Sequence, residues 1–135
     1  MTLPSSTTYG TSTVVDRPLT ETLEATRAAL AAQGFGVLTE IDLAATLRAK
    51  LGVEIPPQVI LGACNPPFAH RALQAEESIG LLLPCNVVVR ALEDGRTLVQ
   101  SLDPLTMVSV TGNAGLADVA QEAAERLAAV HAALA

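Results

Sequence analysis

Apolar and polar positions recur along this chain with two periods, which separate the predicted helices from the predicted strands. The first helical pattern places one face at spacings of four, three and four residues, at Leu19, Leu23, Thr26 and Leu30. This period is typical of an amphipathic helix that packs one side against a sheet. Pro18 suits the first turn, where a missing N–H leaves no partner unsatisfied, and Gly34 ends the pattern.

The last segment of the chain carries the longest helical pattern. Its apolar positions are Leu116, Val119, Ala120, Ala123, Leu127, Val130 and Leu134. The positions between them are polar, at Asp118, Gln121, Glu122, Glu125 and Arg126. One face is therefore apolar and the other polar, which predicts a long closing helix.

Two shorter helices are predicted from capping residues. Asp42 is a good N-cap for a helix that ends at Gly52. Asn65 can cap the next helix, with Pro66 in its first turn. Both caps follow apolar runs, so each helix is expected to start where a strand ends.

Short apolar runs predict the strands, at Thr7–Val15, Phe35–Ile41, Gln58–Cys64, Leu81–Leu83, Cys85–Leu92, Thr97–Leu102 and Met107–Val110. The pair Asp94 and Gly95 is typical of a tight hairpin turn. The resulting order is close to βαβαβαβββα, which predicts an α+β, two-layer sandwich. Its sheet is largely antiparallel, with helices packed on one face and a long C-terminal helix. A doubly wound parallel sheet is the alternative, disfavoured by this hairpin and by the lack of a Gly-rich loop after the first strand.

Composition changes this picture little. The 135 residues fit a single domain over 1–135, in which residues 1–6 are expected to form a flexible tail. With 8 basic and 14 acidic residues the net charge is −6, which disfavours nucleic acid and anionic membranes as partners. The first ten residues do not resemble a secretory signal and no apolar run is long enough to span a bilayer, so a cytoplasmic location is expected.

The two cysteines lie in similar turns, within Gly62–Pro66 and Leu83–Asn86. Cys64 precedes a predicted helix N-terminus, where a thiolate is stabilised, but Pro66 and the proline after it remove two backbone N–H groups. The alternative for Cys64 is a small apolar residue that closes a strand. Strand alternation places Cys85 on the apolar side, and Asn86 on the other.

Other catalytic and metal-binding patterns are missing. No CxxC, HxxxH or HExxH spacing occurs, so neither a metal site nor a cofactor is expected. His70 is expected to face solvent, and His131 is expected to be a surface or boundary residue of the last helix. Ser101 and Ser109 have no nucleophile-elbow setting, so these residues do not predict an enzyme.

Three segments together resemble a known family. They are Gly34–Asp42, Leu61–Pro66 and Gly80–Val87. In this order they resemble the signatures of an uncharacterised prokaryotic family, domain of unknown function 302, over about Thr11 to Leu134. The resemblance implies a compact α+β fold and a small cytosolic domain that self-associates, with no established reaction.

The leading functional hypothesis is a binding module, expected to be a homodimer, that holds a small ligand or partner near the two cysteine turns. Its candidate ligand-binding residues are Cys64, Asn65, Cys85 and Asn86. High aliphatic content with amide side chains at strand ends is typical of pockets. The alternative is thiol redox or sulfur-handling chemistry, with Cys64 as the nucleophile and Cys85 as the resolving cysteine. A third hypothesis is a structural dimerisation domain in which both turns shape the interface.

Overall fold

The computed structural model describes residues 7–135, so the tail predicted at residues 1–6 lies outside the described residues. The strands are β1 Gly10–Val15, β2 Gly36–Asp42, β3 Gln58–Cys64, β4 Cys85–Ala91 and β5 Thr97–Leu102. The α-helices are α1 Leu19–Ala32, α2 Leu43–Leu51, α3 Pro66–Ala75, α4 Thr106–Thr111 and α5 Ala117–Leu134. Two 3-10 helices, Glu77–Leu82 and Ala114–Leu116, complete the described elements.

The five strands form one sheet in the order β1-β5-β4-β3-β2, and every pair of neighbours is antiparallel. The predicted α+β class and the long C-terminal helix are therefore confirmed. The predicted hairpin joins β4 to β5, and Gly95 adopts the left-handed backbone (φ +86°) that this turn requires. The doubly wound parallel alternative is wrong, because no pair in this sheet is parallel.

Helices α1 and α5 pack against one face of the sheet and form the larger core. Alternation along β4 buries Cys85, Val87 and Val89, as predicted, because β-strand side chains point to opposite faces in turn. The buried residues of this core are Val15, Leu30, Phe35, Val59, Leu61, Ala63, Val87, Val89, Val99, Leu127, Val130 and Leu134. The amphipathic patterns of both helices are thus explained by one shared surface.

Two threonines belong to the buried face of α1 without leaving a polar group unpaired. The Thr22 hydroxyl donates to the Pro18 carbonyl at 2.9 Å, and the Thr26 hydroxyl donates to the Thr22 carbonyl at 2.7 Å. Each hydroxyl is satisfied by the carbonyl one helical turn earlier. Thr26 therefore lies on the apolar face of α1 at little cost in folding free energy.

Two predicted strands are wrong. Leu81–Leu83 falls in and just after a 3-10 helix, in which Ile79 is buried and Leu81 is 87% exposed. Met107–Val110 lies in α4, where Asp103 accepts a hydrogen bond from the Leu105 N–H at 2.9 Å before the first turn. The β-branched residues favour a strand, but the turn at Asp103 that leads into the helix and the burial of Met107 override that preference.

A second apolar cluster lies where α3, α4 and α5 meet the longer 3-10 helix. Its buried residues are Ala72, Ile79, Met107, Leu116, Val119 and Ala120. Leu83 packs against this cluster and leads into Pro84 through a cis peptide bond. Nowhere in residues 7–135 is there a helix with the length and apolar character needed to cross a membrane.

Candidate functional site

Two cavities lie at the start of β4, where successive residues point to opposite faces of the sheet. Cys85 is buried and lines a small cavity of about 30 Å³ on the helix side. Asn86 is exposed and lines a larger cleft of about 260 Å³. The four predicted ligand-binding residues are therefore divided, because Cys64, Asn65 and Cys85 line the small cavity and Asn86 lines the cleft.

Both cysteines are lining residues of the small cavity, but strand alternation directs their side chains to opposite faces of the sheet. Cys85 lies opposite Ala63 in the β3–β4 pairing, so Cys64 is one position further along the neighbouring strand. Both thiols are free. Burial raises the pKa of Cys85, and a negative charge on Cys64 raises it further. Cys85 therefore keeps its proton at neutral pH, which opposes a role as a reactive thiolate.

Alkylation should discriminate between the two thiols in the folded protein. We expect iodoacetamide to modify the partly exposed Cys64 at least about tenfold faster than Cys85 at pH 8, because the thiolate is the reacting species and Cys85 is buried with a raised pKa. The measurement is peptide mass spectrometry after timed quenching. In urea the two rates should converge, and equal rates in the folded state would contradict the expected protection of Cys85.

Asn65 acts as the predicted N-cap and also joins two helices. Its Oδ1 accepts a hydrogen bond from the Phe68 N–H at 3.4 Å, and its Nδ2 donates to the Gln33 carbonyl at 3.4 Å. Arg126 donates to the same Gln33 carbonyl at 3.2 Å. Both polar groups of Asn65 thus have partners inside the protein, at the end of α1 and the start of α3.

Gly62 allows the closest approach in this region. A Cβ at this position would lie 2.1 Å from Oγ1 of Thr39 and 2.9 Å from Cγ of Pro84. Gly62 is buried, and its register partner on β4 is Asn86. The Gly62 backbone therefore provides the space in which the Pro84 ring packs, a role that the sequence did not indicate.

The described lining of the cleft on the other side of the sheet carries no charged side chain. Its described lining residues are Thr7, Tyr9, Gly10, Asn86, Val88, Gln100, Ser101 and Leu102. Tyr9 is 63% exposed at this cleft. The Asn86 amide makes no hydrogen bond to any residue within 7–135, whereas Gln100 donates to the Ser12 hydroxyl at 3.2 Å. The lining thus combines neutral donors and acceptors with apolar surface.

His131 was predicted at the surface or boundary, and that prediction is wrong. His131 is buried on α5, with Nδ1 2.6 Å from the Thr13 hydroxyl and Nε2 2.7 Å from the Ser101 hydroxyl. The signal was present in the sequence, since residue 131 follows Leu127 by four positions on the apolar face. His70 is exposed, as predicted.

Thr13, His131 and Ser101 form a hydrogen-bonded chain of hydroxyl, imidazole and hydroxyl, and its role is structural. Burial lowers the pKa of His131, so the ring is neutral at pH 7, with one nitrogen donating and the other accepting. Ser101 Oγ is buried under α5 and its hydroxyl is occupied by the ring. The Ser101 hydroxyl is therefore engaged inside the core, and the three side chains join β1 and β5 to α5.

No group of three or more His, Cys, Asp or Glu side chains is placed to hold a metal ion within the part of the chain that the structure describes. Two exposed ion pairs, Arg48 with Glu54 and Arg96 with Asp94, include no residue that lines the cysteine cavity. Phe68, which lines the cavity, is flanked by Arg71 and Arg126 at 5.7 and 5.8 Å from its ring centre. These cations cover one aromatic wall of the cavity.

Comparison with known proteins assigns nearly the whole chain to one family. The family described as domain of unknown function DUF302 matches residues 11–134. Among solved structures, the chain is similar to the crystal structure of an uncharacterized conserved protein DUF302 from Bacillus stearothermophilus. The two are 30% identical with a TM-score of 0.88, and the match covers 96% of this chain and 100% of the other. The search of curated proteins found no significant match.

Proposed function

The chain belongs to the family described as domain of unknown function DUF302. We propose that it is a small binding module rather than an enzyme. Its ligand site is the cleft of about 260 Å³ on the sheet face that carries Asn86. The observation that carries the proposal is the exposed Asn86 amide, which faces this cleft without a hydrogen-bond partner among residues 7–135. Pockets combine apolar surface with a few polar groups of this kind.

The lining argues for a small uncharged ligand. None of its described side chains is charged, so an ionic ligand would lose hydration without gaining a counter-charge. Amide and hydroxyl groups can donate to and accept from a neutral molecule, while Val88 and Leu102 provide apolar contact. The volume lies just below the range of about 300–1,000 Å³ that is usual for ligand pockets, which favours a compact molecule.

Two neutral small molecules and an anion of similar shape, used as binding probes, test this proposal. We expect benzamide and nicotinamide to shift the Asn86 side-chain amide and Val88 backbone resonances in ¹H–¹⁵N spectra of the full chain, and benzoate to shift them much less. Asn86→Ala should weaken benzamide binding about fivefold to tenfold, because a net hydrogen bond contributes about 1 kcal/mol.

The matched control is Gln121→Ala, which removes an exposed amide on α5 outside the cleft and should leave binding unchanged. Equal shifts with benzoate would contradict the uncharged-ligand assignment. Shifts that spread over the surface, or an unchanged benzamide affinity in Asn86→Ala, would contradict the cleft as the site.

Thiol redox chemistry remains the alternative function. The shared cavity of Cys64 and Cys85 favours it, and the raised pKa of Cys85 opposes it. A cytoplasmic location belongs to the proposal, because free thiols persist in reducing compartments.

The homodimer also stays a prediction. Its best support is the edge strand β2, which is exposed along most of its length, including Leu38 and Ile41. An edge strand offers unpaired backbone groups that a second chain can complete.

A further inference from the structure

Four side chains from two neighbouring strands form the floor of the cleft. The β4–β5 pairing sets Val88 directly opposite Gln100. Asn86 lies two residues before Val88 and Leu102 two residues after Gln100, so antiparallel pairing places these two opposite each other on the same face of the sheet. The amides of Asn86 and Gln100 therefore occupy one diagonal of the floor, and the aliphatic side chains of Val88 and Leu102 occupy the other.

The two amides are placed to bind one molecule together. Diagonal neighbours on adjacent strands lie about 7–8 Å apart, which lets both side chains contact a ligand the size of one sugar ring. Gln100 donates to the Ser12 hydroxyl at 3.2 Å, and this bond orients its amide. Asn86 makes no hydrogen bond to any residue within 7–135. Each amide can donate and accept, as each hydroxyl of a sugar can.

We propose that the ligand of this cleft is a neutral pyranose sugar, an assignment that rests on the proposed function of the cleft. Hydroxyl and C–H groups alternate around a pyranose ring, as amide and aliphatic side chains alternate on the floor. A flat heteroaromatic ring is a poorer match, because it would cover both amides with an apolar face and leave them without hydrogen bonds. The described lining carries no charged side chain, so the sugar is neither a phosphate ester nor a uronate.

Tyr9 adds an aromatic side chain to the same lining, and it is 63% exposed. The face of an aromatic ring carries partial negative charge, which attracts the partly positive C–H groups of a sugar. The cleft volume of about 260 Å³ is below the usual range for ligand pockets, so it suits a single sugar ring rather than a chain of sugars.

The sequence predicted Asn86 as a ligand-binding residue together with Asn65. Asn65 lines the small cavity, and both of its polar groups have partners inside the protein. Gln100, which the sequence did not single out, is the amide that the β4–β5 hairpin places beside Asn86. The pair depends on strand register, which a scan for short motifs does not detect.

Titration of the full ¹⁵N-labelled chain with the methyl β-pyranosides of glucose, galactose and mannose tests the assignment. We expect one of the three to shift the Asn86 and Gln100 side-chain amide resonances with a dissociation constant on the order of 1–10 mM, the strength that a ligand of this size reaches through few contacts. The other two should bind at least about fivefold more weakly, because two amides on a fixed diagonal satisfy one configuration of hydroxyls best. Tetrahydropyran-2-methanol, which has the ring without its hydroxyls, should shift these resonances much less.

Substitutions on the floor should weaken binding of the preferred glycoside. Asn86→Ala and Gln100→Met should each weaken it about fivefold to tenfold, the factor that one net hydrogen bond contributes. Tyr9→Ala should weaken it about threefold or more, and Tyr9→Phe, which keeps the ring, should retain most of the affinity. Gln121→Ala, outside the cleft, is again the matched control and should leave the affinity unchanged.

Benzamide separates this assignment from the proposed function, and titrations of the unaltered chain keep the test independent of folding defects in the variants. Benzamide shifts in the cleft, without shifts from any of the three glycosides, would retain the cleft as a ligand site and overturn the sugar assignment. No shifts with any of these probes would overturn both. Equal binding of the three glycosides, or equally strong binding of tetrahydropyran-2-methanol, would also overturn the sugar assignment. Unchanged glycoside affinity in folded Asn86→Ala or Gln100→Met would do the same.

Discussion

Replacing Gly62 with alanine is expected to destabilise the protein by about 2–3 kcal/mol, at the upper end of the usual cost of overpacking a core. The added Cβ would lie 2.1 Å from Oγ1 of Thr39 and 2.9 Å from Cγ of Pro84. Thr39 is exposed and can rotate its side chain, but the Pro84 ring is fixed and cannot withdraw. The measurement is the free energy of unfolding from urea denaturation of the wild-type and variant chains.

Gly36 provides a matched control on the neighbouring strand. A Cβ at Gly36 would meet only the Cys64 carbonyl oxygen, at the ordinary contact distance of 3.9 Å. Gly36→Ala should therefore change stability by less than about 0.5 kcal/mol, or raise it slightly by restricting the unfolded chain. Thr39→Ala should recover part of the loss in Gly62→Ala, because it removes one of the two clashes. Equal effects of Gly62→Ala and Gly36→Ala would show that the Pro84 ring is not packed against Gly62.

The elements of this fold were predictable wherever local signals and burial agree. The caps at Asp42 and Asn65 accept hydrogen bonds from Ala45 and Phe68, as their positions in the sequence indicated. The Asp94–Gly95 turn specified the β4–β5 hairpin. Local signals and burial disagree at Met107–Val110, where β-branched residues favour a strand and the second apolar cluster requires a helix.

The candidate sites were predictable only in part, because both depend on contacts between distant segments. Strand alternation correctly separated Cys85 from Asn86, and this separation divides the two cavities. The close packing of Pro84 on Gly62 and the place of Met107 in the lining of the small cavity depend on how β2, β4 and α4 pack around β3, which no local pattern encodes. The sequence thus indicated the region around the cysteine turns, but not the residues of other segments that pack against this region.

His131→Leu is expected to destabilise the protein by about 2–3 kcal/mol, although leucine suits the apolar face of α5. The substitution removes the imidazole that bonds to Thr13 and Ser101 and leaves the Ser101 hydroxyl buried without a partner. In a Ser101→Ala background the same substitution should cost at least about 1 kcal/mol less, because the Ser101 hydroxyl is then absent and cannot be left buried without a partner. Chemical denaturation of the four chains in this double-mutant cycle gives the coupling, and strict additivity would contradict the bonded chain.

The same histidine should make stability depend on pH with a defined sign. Burial lowers the folded pKa of His131 below the unfolded value of about 6.5, so the unfolded chain binds the proton first as the pH falls. Stability is therefore complete above about pH 6.5 and decreases as the pH falls toward the folded pKa, by at most about 1.4 kcal/mol per pH unit. The test is the difference in unfolding free energy between wild type and His131→Leu from pH 7.5 to 5.

That difference isolates His131 from the carboxylates, which titrate in both chains. It should shrink as the pH falls, because the wild type loses the neutral imidazole and the variant has none to lose. His70→Gln is the matched control, since it removes the exposed histidine and keeps the buried one. A difference that stays constant across this range would mean that His131 binds its proton equally well in both states. The buried Thr13–His131–Ser101 chain would then not depend on a neutral ring.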